Sequence, residues 1–358
     1  MKKIGIMSMQ RVTNYGSFLQ AYGLMKIIKS LNYNVEFVDY EYEKCIVENS
    51  NKKSIKNKII DNINIINFYK RKKIQKLFKN NYKKYLKQYL NISDDKNYYP
   101  NIDTLIIGSD EVFNCLQTFP VGYSRNLFGK GYENKTVLSY AASFGHTSID
   151  ELKKYKIDEE ISSLLKKFKS ISVRDDNSKQ IVNGLIDETT FVHLDPVLVS
   201  DYSNEIENIN ISLKNYIVLY AYSGRLTKEE ESYIKKFARK YNKKIVSLGF
   251  YQKIADYNFV VDPFMVLSYI KNADFIITDT FHGSVFSIKM NTKFCTIIRK
   301  SNYNKLYYLL RKLEHTKQIV SNVDDIEQIY NKEIDFKNSN SILDLERTKT
   351  IDYLKSNI

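Results

Sequence analysis

Cysteine is scarce in this chain, and its three copies, Cys45, Cys115 and Cys295, stand far apart with no paired metal-ligand spacing. An odd, sparse count argues against a disulfide framework and for reduced thiols in a cytoplasmic protein. The four histidines show no metal-ligand spacing either, so no metal site is expected. Tryptophan is absent while tyrosine appears 29 times. With abundant Lys, Asn and Ile, this points to an AT-rich genome and carries little functional weight. No segment approaches the roughly 20 apolar residues of a membrane span. Met1-Lys2-Lys3-Ile4-Gly5-Ile6-Met7 opens like a signal peptide, but Ser8, Gln10 and Arg11 break the apolar run too early. It reads as a first buried strand. No G-x-G-x-x-G follows that strand, no P-loop motif occurs and there is no G-x-S-x-G elbow. Dinucleotide oxidoreductases, P-loop enzymes and α/β-hydrolases lose their main support.

What is present is enough for two domains: 358 residues, 43% hydrophobic and 27% charged. The formal charge of +14 is segregated, because residues 51–90 hold thirteen Lys/Arg against one Asp. Within that segment Ile59, Ile60, Ile63 and Ile66, then Ile74, Leu77 and Phe78, recur at helical spacing. A basic amphipathic helix pair of this kind suits an anionic membrane surface. The competing reading is an insertion that packs its apolar stripe on the first domain and solvates its lysines. The two are compatible, since the exposed face is basic in both. A nucleic-acid-binding role has only the net charge and the tyrosines behind it, and no recognition motif accompanies them.

The remaining pattern alternates short apolar runs with helical ones. Lys3–Met7, Val35–Val38, Leu105–Ile107, Val137–Ala142 and Ile171–Val173 read as strands. A helix is expected through about Leu152–Phe168, and Asp176 or Asn177 as the cap of the next one. Asp195-Pro196 closes the first half. Tyr216–Tyr220, Lys244–Leu248, Phe275–Thr278 and Thr296–Ile298 are the strands of the second half. The expected fold is α/β, with two Rossmann-like domains and a cleft between them. The domains span 1–200, with the basic helical insertion at about 51–90, and 206–335. A C-terminal helix follows over 340–358. In such sheets ligands bind beyond the carboxyl ends of strands. That places the chemistry in the loops Ser8–Gly16, Gly108–Asn114, Ser143–His146, Arg174-Asp175 and Thr278–Gly283.

The strongest candidate is Asp279-Thr280-Phe281-His282-Gly283, where His282 stands at the start of a helix after a buried strand. Helix N-termini favour anions, and a His there is placed to act as an acid. The plainer reading is a helix-capping His with Asp279 ending the strand. Arg174, at a strand end, suits bidentate recognition of a carboxylate or phosphate, or equally an ion pair with a neighbouring Asp. Gly108-Ser109-Asp110-Glu111 reads as a sugar-hydroxyl binder or base, or as an ordinary turn. Asn14-Tyr15-Gly16-Ser17 presents amides to an anion, or is a loop in which Ser17 caps the next helix. Arg299 and Lys300 end another strand and either face the cleft or are solvated. His193, His146 and His315 read as structural or exposed.

Taken in order, several segments resemble the polysaccharide pyruvyl transferase family. They are Asn14-Tyr15-Gly16-Ser17-Phe18-Leu19-Gln20-Ala21-Tyr22, Gly108-Ser109-Asp110-Glu111-Val112-Phe113-Asn114, Ser139-Tyr140-Ala141-Ala142-Ser143-Phe144-Gly145, Ser172-Val173-Arg174-Asp175, Leu194-Asp195-Pro196 and Thr278-Asp279-Thr280-Phe281-His282-Gly283. The resemblance implies a two-domain GT-B fold. It implies transfer of pyruvate from phosphoenolpyruvate to two hydroxyls of a sugar, in a cell-surface polysaccharide or its lipid-linked precursor, with no cofactor. The family's catalytic His matches His282, and its donor-holding Arg matches Arg174. Several members carry an Arg two residues before the catalytic His. Here that place is Thr280, so Arg299 or Lys300 is the expected substitute for the missing cation.

On this reading the donor contacts are Arg174, Asn14, Tyr15, Gly16, Ser17, Ser109, Thr280, Phe281, Gly283, Ser284, Arg299 and Lys300. His282 is the acid, and Asp110 or Asp279 orients or deprotonates a hydroxyl. The protein is expected in the cytoplasm, docked at the inner face of the membrane through 51–90. The principal rival is a nucleotide-sugar glycosyltransferase of the same architecture.

Overall fold

A computed structural model describes residues 1–47, 65–118 and 122–358. The first half runs β1 (Lys3–Met7), α1 (Tyr15–Ser30), β2 (Asn34–Phe37), α2 (Ile65–Leu90), β3 (Thr104–Asp110), β4 (Thr136–Ala142), α3 (Ile149–Lys154), α4 (Asp158–Leu165), β5 (Ile171–Val173), α5 (Asp176–Leu185), β6 (Thr190–Val192), α6 (Pro196–Val199) and α7 (Ser203–Ile206). The second runs β7 (Tyr216–Tyr220), α8 (Lys228–Lys240), β8 (Lys244–Leu248), β9 (Tyr257–Phe259), α9 (Pro263–Lys271), β10 (Phe275–Thr278), α10 (Phe281–Lys289), β11 (Phe294–Ile297), α11 (Tyr303–Lys312), β12 (Ile319–Val320), α12 (Asp325–Asn331) and α13 (Lys337–Asn357).

The described strands form two six-stranded sheets, ordered β2-β1-β3-β4-β5-β6 and β12-β11-β10-β7-β8-β9, with every pairing parallel. Parallel strands are covered by helices on both faces, which is why Leu105-Ile106-Ile107 and Ile217-Val218-Leu219 are continuous apolar runs and fully buried. The chain changes direction across the first sheet between β1 and β3, and across the second between β7 and β10. Those two switch points are where open α/β sheets leave a crevice at their carboxyl ends.

The structure departs from the sequence expectations in identifiable ways. The helix expected over Leu152–Phe168 is two, because Lys156 takes a left-handed conformation (φ 55°) that ends α3. Asp175, not Asp176 or Asn177, caps α5, accepting from the Ser178 amide at 2.8 Å. The polar stretch after Ser200 carries the short α7. The terminal helix is longer than expected and returns to the first domain. There Tyr353 donates to the Ser139 carbonyl at 2.8 Å, and Thr350 bonds Tyr140 at 3.0 Å.

Of the basic segment's apolar positions, Ile59, Ile60 and Ile63 lie outside the described residues. The rest divides along α2. Its second half buries Phe78, Tyr82, Leu86 and Leu90, one residue per helical turn. Phe78 packs on Tyr15, Tyr82 donates to the Gln10 carbonyl at 2.9 Å, and Tyr89 donates to Asp262 of the second domain at 2.7 Å. In its first half Ile65, Ile66, Phe68, Tyr69 and Leu77 are exposed among the lysines. The packed reading thus holds for one half of the helix, and the exposed basic face for the other.

Candidate active site

Both switch points open onto one cavity of about 200 Å³. From the first domain it is lined by Asn14, Ser17, Asp110, Glu111 and Arg174, and from the second by Tyr222, Arg225, Thr280, Phe281, His282, Ser301, Asn302 and Lys305. Each comes from the end of a strand or the start of the helix after it, as the strand-end rule requires.

Thr280 is the N-cap of α10. Its Oγ1 accepts the Gly283 amide at 2.9 Å, and Thr278 Oγ1 accepts the Thr280 amide at 3.0 Å. This double cap fixes the direction of the first turn and so of His282. It also closes Gly283 as a donor to an anion. A Cβ on Gly283 would fall 2.0 Å from Thr278 Oγ1, so the turn needs glycine.

His282 reaches across the cleft. Its Nε2 lies 3.4 Å from Asp195 Oδ2, a charge contact rather than a formed hydrogen bond, and its Nδ1 lies over the Cα of Gly16. Asp195 caps α6 through the Val197 amide (3.0 Å) and accepts from Arg174 Nη1 at 3.1 Å. Burial pushes the Asp195 carboxyl up. His282, Arg174 and the Val197 N–H outweigh that and hold it below its usual range.

Arg174 is buried, with Nη1 also 3.7 Å from Asp110 Oδ1 and its guanidinium 4.4 Å from the centre of the Phe281 ring. Burial pushes its pKa down, but Asp110, Asp195 and Glu111 more than offset this and keep it charged. Its Nε has no hydrogen-bond partner. A buried unpaired donor costs about 1–3 kcal/mol. Asp110 accepts from Ser17 Oγ at 2.9 Å. Glu111 is ion-paired with Lys305 of the facing domain. Burial raises that carboxyl, but Lys305, Arg174 and Asn114 bring it down to about 2.

The structure gathers Asn14, Ser17, Asp110, Arg174, Thr280, Phe281 and His282 around the cavity. Other expected residues stand elsewhere. Arg299 is bound by both nitrogens to Glu230 at 2.8 Å, and neither it nor Lys300 lines the cavity. Asp279 points behind the turn toward Arg225 and Arg299, at 3.7 and 3.6 Å, and burial raises its carboxyl. It is not placed to handle a hydroxyl. Ser109 donates to the Ala141 carbonyl and Ser284 bonds Thr296, both within the core. Tyr15 donates to the Val261 carbonyl and ties the domains together. Asn14, not Ser17, caps α1, so the Gly16 amide is taken by Asn14 Oδ1 at 2.7 Å. Gly16 serves instead as the flat seat of the His282 ring.

Sequence reasoning missed Asp195, Arg225 and Lys305. Asp195 lay in a quoted segment, but only as the residue before a proline. Arg225 and Lys305 sit in a polar loop and a lysine-rich helix, with no signal to mark them. With Arg174, they supply the positive charge that Thr280 lacks.

His193 is structural, as expected: buried between Tyr140 and Tyr353, with Nδ1 2.7 Å from Ser172 Oγ. Burial lowers its pKa from 6.5 to about 4. A folded pKa below the unfolded one means that only the unfolded chain takes the proton between those values. Stability should therefore fall as pH drops from 6.5 toward 4, by roughly 3 kcal/mol for this group. Urea melts across that range should show the loss, and His193→Gln should remove this part of the slope.

No curated protein matches the chain in sequence. Solved structures with the same architecture include the UDP-GlcNAc 2-epimerase of Methanocaldococcus jannaschii in complex with UDP-GlcNAc and UDP, with a TM-score of 0.57, 13% identity and 99% of both chains covered. The UDP-GlcNAc 2-epimerase of Neisseria meningitidis bound to UDP-GlcNAc gives 0.52 and 11%, over 100% of both chains. The glycotransferase of kitacinnamycin gives 0.51 and 7%, over 100% of this chain and 99% of its own. At these identities the likeness establishes the fold, two Rossmann-like domains of GT-B type. The sequence model of polysaccharide pyruvyl transferases matches residues 14–301, the stretch that carries every cavity residue except Asn302 and Lys305, and the chain belongs to that family.

Proposed function

We propose that this enzyme moves pyruvate from phosphoenolpyruvate onto two hydroxyls of a sugar, in a cell-surface polysaccharide or its lipid-linked precursor. A cyclic ketal forms and phosphate leaves. The observation that carries the reading is one small cavity with Arg174, Arg225, Lys305 and His282 together on its walls. Three cations suit a donor with a carboxylate and a phosphate.

In this mechanism His282 delivers a proton to C3 of the enol ester, and C2 gains oxocarbenium character. One sugar hydroxyl adds to C2, giving up its proton. The second hydroxyl then displaces phosphate from C2, and its proton leaves with the departing group. Asp110, on the cavity wall and held by Ser17, is the acceptor for a hydroxyl proton. Glu111 is committed to Lys305 and Asp279 faces away, so neither takes that part. Asp195 is a positioning residue that holds His282 through Nε2.

Phosphate release from phosphoenolpyruvate, measured with a panel of lipid- or nitrophenyl-linked sugars, tests the reading. Turnover of a UDP- or GDP-sugar with none of phosphoenolpyruvate would replace it with glycosyl transfer.

The outer half of α2 further supports docking on an anionic membrane. Among the described residues no helix is long and apolar enough to cross a bilayer. Helix α2 has nine Lys/Arg and no acidic residue, with exposed Ile66 and Leu77 among them. Flotation should occur with vesicles containing anionic lipid and not with neutral ones. Indifference to lipid charge would end this part of the proposal.

A further inference from the structure

Beside the reaction cavity lies a second and larger one, of about 620 Å³. Phe68, Tyr69 and Arg71 of α2 form one wall, and Leu226, Lys228 and Tyr251 of the second domain form the other. Tyr251 donates to Asn67 at 2.7 Å and bridges the walls. The two cavities share the loop between β7 and α8. Gly224, at φ 78°, turns that loop so that Tyr222 and Arg225 line the reaction cavity while Ser223, Gly224 and Leu226 line the groove. A Cβ on Gly224 would lie 3.6 Å from Arg71 Nη1, so this guanidinium stands at the shared wall.

Resting on the pyruvyl-transfer reading, we infer that this groove is the carrier subsite of the acceptor, holding the lipid diphosphate on which the sugar is presented. Three observations favour that occupant. First, the groove carries unneutralised positive charge. Lys253 is paired with Glu231 at 2.6 Å, whereas Arg71 and Lys228 have no ion-pair partner among the described residues. A neutral glycan has no use for two such cations; a diphosphate does. Second, the cations alternate with Phe68, Tyr69, Tyr251 and Leu226, a mixture suited to an amphiphile rather than to a free anion. Third, exposed Ile65 of α2 lines the groove, and the loop between β7 and α8 that forms part of its opposite wall also carries Tyr222 and Arg225 of the reaction cavity. A diphosphate held in the groove would therefore stand one loop away from a sugar in the reaction cavity.

The probe is farnesyl diphosphate, titrated calorimetrically into the wild type and into Arg71→Glu and Phe68→Ser. Both side chains are exposed, so folding is expected to survive, and a melting curve checks this. Kd for farnesyl diphosphate should rise at least about tenfold in each variant, the size of one lost charge-assisted or aromatic contact. Kd for phosphoenolpyruvate should stay within about twofold in both, because neither residue lines the donor cavity. Unchanged affinity for farnesyl diphosphate in both variants would overturn the assignment. So would equal wild-type affinity for inorganic diphosphate, which would leave the apolar wall without a role. This binding needs no turnover, so a failure of phosphoenolpyruvate to react would sink the proposed function while leaving the groove result intact.

Discussion

Replacing His282 by alanine should lower phosphate release from phosphoenolpyruvate by about 10²–10⁴-fold, the range for a lost general acid. The geometry makes the expectation specific. His282 is the one imidazole on the cavity wall; His193 is sealed among aromatic rings, and His146 and His315 do not line the cavity. The loss should fall on kcat, because donor binding rests on the three cations, which the substitution leaves in place. A companion variant separates catalysis from position. In Asp195→Asn the imidazole keeps its seat on Gly16 but loses the carboxylate 3.4 Å from Nε2. Its activity should fall less than that of His282→Ala, and the loss should again appear in kcat, because only the position of the ring is relaxed. A wild-type rate in His282→Ala would remove the histidine from the mechanism.

The second large effect is expected from a single methyl group. Gly16→Ala would place a Cβ 2.1 Å from His282 Nδ1 and 2.2 Å from Cγ. Something must move. Phe281 and Phe286 flank the ring and Asp195 lies at its far edge, so the imidazole has to swing away from the carboxylate or α1 has to shift. Displacement of a reacting group by about an ångström costs on the order of 100-fold in rate. Backbone strain is not the cause, because Gly16 lies in α1 outside the left-handed region, and alanine favours the helix by about 1 kcal/mol. The variant should therefore lose activity without a matching loss of thermal stability. Equal losses of both, or full activity, would show that the ring does not depend on that seat.

Much of this site was legible because parallel α/β sheets place their chemistry at strand ends. His282, Arg174 and Asp110 were found that way, and the cavity gathers all three. Residues fixed by contacts across the cleft were not legible. Lys305 looks like any lysine on an amphipathic helix until the facing domain supplies Glu111. Thr280 read as the loss of a cation. In three dimensions it is the cap that aims His282, and the charge comes from a loop and a helix. Arg299 was the expected substitute, yet Glu230, on a helix of the same domain, holds it by both terminal nitrogens. The short edge strands β6, β9 and β12, of three, three and two residues, carry too few residues for an alternating pattern. The two characters of α2 also escaped, because its apolar residues begin along the chain before the surface they pack on is reached.

The return of α13 to the first domain makes that domain discontinuous, with the entire second domain threaded between its parts. Tyr353 and Leu354 belong to the core that also holds Tyr140 and Leu194. On the ribosome, β1 through β6 emerge long before those residues do. The first domain therefore waits with part of its core open while the second is synthesised, against the usual order in which an N-terminal domain finishes first.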